Sequence, residues 1–105
     1  MRYILLILAS VFGTMAQSQS METIRLANDM GTLLGSEKVC NLTYNQDAIT
    51  MWIDVKVPPE DMSFASALSM MTESTAYGLQ DISESARTAH CRSIERTAKH
   101  YGFIE

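Results

Sequence analysis

Cysteine, cationic side chains and long apolar runs are all scarce in this 105-residue chain, and each scarcity argues against a class of protein. Eight Lys and Arg stand against twelve Asp and Glu, a formal net charge of −4, which is the wrong sign for binding a phosphate backbone and argues against nucleic acid as a partner. The two histidines, His90 and His100, have no His, Asp or Glu three or four positions away on the same helical face, so no compact metal site is expected. No cofactor motif is present, and no nucleophile with its base or carboxylate pair stands out, which points away from an enzyme. The one sustained apolar run, Ile4 to Phe12, is roughly half of the ~20 residues a membrane-spanning helix needs.

What that run does resemble is the apolar heart of a secretory signal peptide. Arg2 supplies a basic start, and Thr14 and Ala16 put small side chains where a signal peptidase reads them, so cleavage is expected after Ala16. No cysteine follows the apolar run until Cys40, so acylation of a lipoprotein type is not expected, nor is stable membrane insertion after cleavage. The expected organisation is a signal peptide over residues 1–16 and a single helical domain over residues 17–105. Loss of Arg2 leaves seven basic groups against twelve acidic ones, a formal charge of −5. These are unevenly spread: Met21 to Ser83 holds three basic and nine acidic groups, Glu84 to Glu105 four basic and three acidic ones.

Export sets the redox environment of Cys40 and Cys91, the only two cysteines, and makes a disulfide between them the expected state. A domain of this size buries too little surface to be generously stable, so a covalent staple is physically useful. Closing a loop of about fifty residues removes denatured-state freedom worth on the order of 4 kcal/mol. A disulfide also takes the best nucleophile out of consideration.

Hydrophobic spacing predicts an all-α fold, a small four-helix domain. Met21 to Leu34 places Ile24, Leu26, Ala27, Met30, Leu33 and Leu34 on one face, with Gly35 as a left-handed stop. Asn45 to Val57 fits two templates. Ile49, Met51, Ile53, Val55 and Val57 alternate as in a strand, while Ala48, Ile49, Trp52, Ile53 and Val55 form a helical stripe behind an Asn45 N-cap. Helix is preferred because no second strong strand candidate exists to pair with it. Pro58-Pro59 with Glu60 and Asp61 predicts the opening of a third helix running to about Tyr77, its inward face being Phe64, Ala65, Leu68, Met71, Thr72, Ala76 and Leu79. Asp81 and Glu84 suggest a capping-box start for a fourth helix ending at Gly102, with Ile82, Ala86, Ser93, Ile94, Thr97, Ala98 and Tyr101 inward.

Three features invite functional readings, each beside a plainer one. His90 lies in the inward stripe, where a hydrogen-bonded structural histidine is the simpler account than a general base; its neighbour Cys91 diverges by about 100° on a helix and cannot pair with it. Arg92, Arg96 and Lys99, with His100, form a basic row that is either a solvated face supported by a Glu95 to Lys99 pair or a surface for an acidic partner or an export apparatus. Met70 and Tyr77 share an angle off the third helix's inward stripe, as scattered exposed residues or as a partner-binding patch. Asn41-Leu42-Thr43 matches a glycosylation sequon.

The strings LGSEKVCNLTYNQDAI, VPPEDMSFASAL and SARTAHCRSIERTAKHYGFI resemble a family of small signal-peptide-bearing proteins of rhizobia and related alphaproteobacteria. The resemblance implies an all-helical exported protein with one cysteine pair, here Cys40 and Cys91, and a Tyr-Gly-Phe-Ile ending, here Tyr101 to Ile104. It implies no particular activity. Similarity in size and organisation also suggests a virulence effector delivered into host cells by a type IV secretion system, with the basic C-terminal segment as its recognition element. The expectation is therefore a small periplasmic or secreted helical protein that binds another protein, with the effector as the alternative.

Overall fold

The computed structural model describes the backbone of residues 12–105 and the side chains of residues 21–105. Most of the expected signal peptide lies outside the described residues. Four helices follow one another: α1 (Phe12–Gly35), α2 (Gln46–Lys56), α3 (Phe64–Gly78) and α4 (Glu84–Tyr101). Among the described residues there is no strand, and no helix is long and apolar enough to cross a membrane. Asn45 to Val57 is thus helical, and Asn45 is its cap, its side chain accepting a hydrogen bond from the Ala48 N–H.

Helix α1 begins nine residues before Met21 and passes through the expected cleavage point after Ala16. Its partner is α3. The Thr23 hydroxyl donates to Asp61 just before α3, Gly31 meets Met71 and Thr72, and Gly35 meets Thr72 and Thr75. Numbers rise together along both helices, so α1 and α3 run parallel. Two glycines four residues apart, in line with the fully buried Ala27, make a stripe with almost no side chain, and the α3 backbone settles into it. A β-carbon on Gly31 would lie 2.5 Å from Met71 Cβ, and one on Gly35 would lie 2.6 Å from the Thr72 carbonyl oxygen.

This corrects the expectation at Gly35. Helix α1 does end there, but the Gly35 backbone is not left-handed; the positive φ that follows α1 is at Asn41, 59°, six positions later. The chain continues past α1 in tight turns that close when the Leu42 N–H donates to Glu37 O at 2.9 Å and the Asn41 N–H to Lys38 O at 3.0 Å. Helix α4 closes in the same way at Gly102, φ 80°, where the Phe103 N–H donates to Ala98 O and the Gly102 N–H to Lys99 O.

The starts of α3 and α4 also differ from expectation. Pro58 to Asp61 is a turn, the Asp61 N–H donating to Pro58 O, and α3 begins only at Phe64. Asp61 organises that start: its carboxylate accepts from the hydroxyls of Thr23 and Ser63 and from the Ser63 N–H. The Thr23 bond foremost, then Ser63, holds its carboxyl below the usual carboxylate range. The cap of α4 is Ser83, whose hydroxyl accepts from the Ala86 N–H, and not Asp81.

The inward faces of α3 and α4 are rotated from those expected. On α3, Ala65 and Ala76 are exposed, and Ala67 and Thr75 share the covered side with Phe64, Leu68, Met71 and Thr72. On α4, Ala86, Ser93, Thr97 and Tyr101 are exposed, while Arg87, His90, Cys91, Ile94 and Ala98 face the molecule. The Cys91 bond to the loop after α1 sets that rotation.

The core consists of Met30, Leu33, Tyr44, Ile94, Ala98 and Phe103, so it joins the second half of α1 to the second half of α4. Tyr44 lies at its centre, ring centroid 5.8 Å from that of Phe103, and its hydroxyl donates to Leu33 O at 2.8 Å. The Asn45 N–H donates to Phe103 O at 2.8 Å, fastening the chain end. Helix α2 contributes no fully buried residue and is held through Trp52, whose ring lies 6.4 Å from both Phe64 and Tyr101.

Gly31→Ala gains up to ~1 kcal/mol of helix propensity yet destabilises by about 1–3 kcal/mol because the helices must separate. Gly78→Ala, with nothing within 4 Å of the added carbon, stabilises; urea denaturation of both variants reads the opposite signs. Burial, then the charge of Glu37, pushes the Tyr44 hydroxyl up from 10.0 to about 12. Its protonated form is favoured by folding, so its stabilisation is complete below about pH 10 and is lost as pH rises toward 12. Tyr44→Phe should cost about 1–2 kcal/mol at neutral pH, and its deficit from the native protein should shrink across that alkaline window in denaturation midpoints.

Candidate functional site

The outward face of α4 carries the charge contrast of the molecule. Ala89, Arg92, Ser93, Arg96, Thr97, His100 and Tyr101 line a shallow open depression of about 520 Å³. Small side chains at 89, 93 and 97 recur every four residues and make its floor, while Arg92, Arg96 and His100 rise along one side. Ser93 and Thr97 were expected to face inward; their exposure is what makes the floor. The signal available in the sequence was the four-residue recurrence of small residues beside the cations.

Of the residues singled out in the sequence, Arg92 and Arg96 meet in this depression, and Lys99 is exposed on the same helix without lining it. Glu95 pairs with Arg92 at 3.2 Å, not with Lys99. Exposed as it is, that pair contributes only a few tenths of a kcal/mol. Among the described residues, Arg96 and Lys99 have no acidic partner. Met70 and Tyr77 are 66 % and 76 % exposed but belong to α3 and lie outside the depression.

The C-terminal segment bearing the cations is not a detachable tail. Ile94, Ala98 and Phe103 belong to the core, so the basic row is displayed by a helix whose other side is packed.

The other group of chemical interest is one the sequence does not show as a pair. Ser36 Oγ lies 2.8 Å from His90 Nε2, which has the outline of a nucleophile and its base. The surroundings assign it differently. The Ser36 hydroxyl donates to Thr32 O at 2.7 Å, so its oxygen accepts from the His90 Nε2–H, and the imidazole nitrogen beside the serine is a donor rather than a base. Ser36 is 0 % exposed. No substrate reaches it, and the contact acts as a buried polar tie between α1 and α4.

Beside that tie, the sulfurs of Cys40 and Cys91 are bonded across a Cα separation of 5.3 Å. The disulfide borders a second depression of about 330 Å³ with Leu42, Thr88, Arg92 and Glu95. Asn41, the sequon asparagine, is exposed next to it. Among the described residues, no three His, Cys, Asp or Glu side chains converge as metal ligands.

No family model, curated protein or solved structure matches this chain.

Ser36→Ala should leave His90 without its partner and cost about 1–3 kcal/mol of stability, read by thermal or urea unfolding. A fluorophosphonate probe should leave Ser36 unmodified in the native protein. Labelling at Ser36 under native conditions would show the dyad to be reactive.

Proposed function

We propose that this chain is a small exported helical protein that works by protein contact through the outward face of α4. The observation that carries the reading is the cationic depression itself: Arg92, Arg96 and His100 border a floor of small side chains on a protein whose remaining surface is mainly acidic. Such a face favours an acidic partner, because opposite charge across an interface sets orientation and raises the encounter rate. The floor of Ala89, Ser93 and Thr97 admits a close approach by a partner helix or strand.

Export is supported by the Cys40–Cys91 disulfide, which persists in oxidising compartments, and by the signal-like pattern of residues 1–16. The periplasm or the medium is the proposed destination. The disulfide's role there is architectural: it closes a separation of 51 residues, worth on the order of 4 kcal/mol in the chain-entropy model. Delivery into a host cell by a type IV secretion apparatus would make the same basic face a recognition element. Charge reversal at Arg92 and Arg96 in a translocation reporter tests that without removing core residues.

The contact function is tested by using the oxidised protein as bait against the envelope and medium of the exporting cell, beside an Arg92→Glu/Arg96→Glu variant of unchanged circular dichroism. A protein captured by the native chain should be lost or weakened at least about tenfold with the variant. Equal capture by both proteins would remove α4 as the contact surface.

A further inference from the structure

A second exposed face on the same molecule has the chemistry that the α4 depression lacks. On α2, Asp47, Met51 and Asp54 point outward, with Val55 at their edge; Met51 is 66 % exposed and Val55 74 %. These are carboxylates and bulky apolar groups, opposite in charge and shape to a cationic trough with a floor of small residues. Asp47 and Asp54 are seven residues apart, about 10.5 Å along a helix, and Arg92 and Lys99 are separated by the same rise with Arg96 between them. Laid along α4 in the same direction, an α2 helix can set Asp47 against Arg92 and Asp54 against Lys99 while Met51, between them, covers Ala89, Ser93 and Thr97.

Both faces are exposed in one molecule, so this docking occurs between molecules. Resting on the reading of α4 as a protein-contact surface, we propose that its partner is a second copy of this chain, with α2 of each copy seated on α4 of the other. Each copy then supplies one ridge and one trough. The two contacts are equivalent under a two-fold axis, so the assembly closes as a dimer instead of growing into a filament. Lys99, which has no acidic partner among the described residues, acquires Asp54, Arg92 gains Asp47 beside Glu95, and the exposed Met51 and Val55 become covered.

Sedimentation equilibrium of the purified oxidised protein over a range of concentrations tests this. The expected result is a dimer whose dissociation constant rises at least about tenfold with Lys99→Glu alone or Asp54→Lys alone and recovers when both substitutions are in one chain. Both residues are exposed, and unchanged thermal melting checks that each variant stays folded. A monomer at every concentration, or a double variant no tighter than the singles, overturns the pairing. A monomer that still captures another protein through Arg92 and Arg96 overturns the pairing alone and leaves the contact function standing. An intact, swap-restored dimer whose Arg92 and Arg96 play no part in capturing any other protein supports the pairing and overturns only the wider partner reading.

Discussion

The close approach of α1 and α3 at Gly31 and Gly35 is the constraint on which the rest of this structure depends. It is a contact of backbone on side chain and backbone, with no room for a β-carbon, and it sets two helices side by side and parallel. Dispersion between closely packed atoms is small for each pair and falls steeply with a gap, so the contact acts as an all-or-none fit. Because α1 and α3 run the same way, the chain between them must return, and α2 with its flanking turns makes that return. Helix α2 contributes no fully buried residue and leaves Asp47, Met51, Asp54 and Val55 in water.

A second set of ties fixes α4. The turns after α1 hold Ser36, Cys40 and Tyr44, and each reaches a different part of the molecule: Ser36 to His90, Cys40 to Cys91, Tyr44 back to Leu33 and against Phe103. These contacts of three kinds, polar, covalent and aromatic, all turn the same side of α4 inward. The opposite side is thereby committed to solvent, and it is the side that carries Arg92, Arg96 and His100. The display of the cationic face is thus a consequence of how the packed side is held.

Much of this fold was legible in the chain. Four helices, the Asn45 cap, the Gly102 stop and the cysteine pair all follow from simple chemistry: a side chain that caps, a residue that tolerates positive φ, two thiols with only each other to pair with. The misreadings are equally specific. Gly35 does end α1, but it was read as a left-handed cap, whereas its lack of a side chain serves the contact with Thr72 and Thr75, and a helix wheel carries no knowledge of the helix lying against it. Ser93 and Thr97 were placed inward because the wheel of α4 has a broad weakly polar sector whose centre only the Cys91 and His90 ties decide. Of the candidate site, the basic row was visible; its floor of Ala89, Ser93 and Thr97 was not.

What the sequence determined by itself was therefore helix count and type, the places where Asn45 and Gly102 begin and end helices, the cysteine pair, and the cationic character of the last helix. These rest on interactions between residues a few positions apart, or on the existence of a single possible partner. Tertiary structure alone decided the parallel pairing of α1 and α3, the burial of Ser36 against His90, and which side of α4 meets water. Those outcomes depend on groups brought together across tens of residues, such as Gly35 with Thr72, and there the steric fit of one backbone against another outweighs local preference.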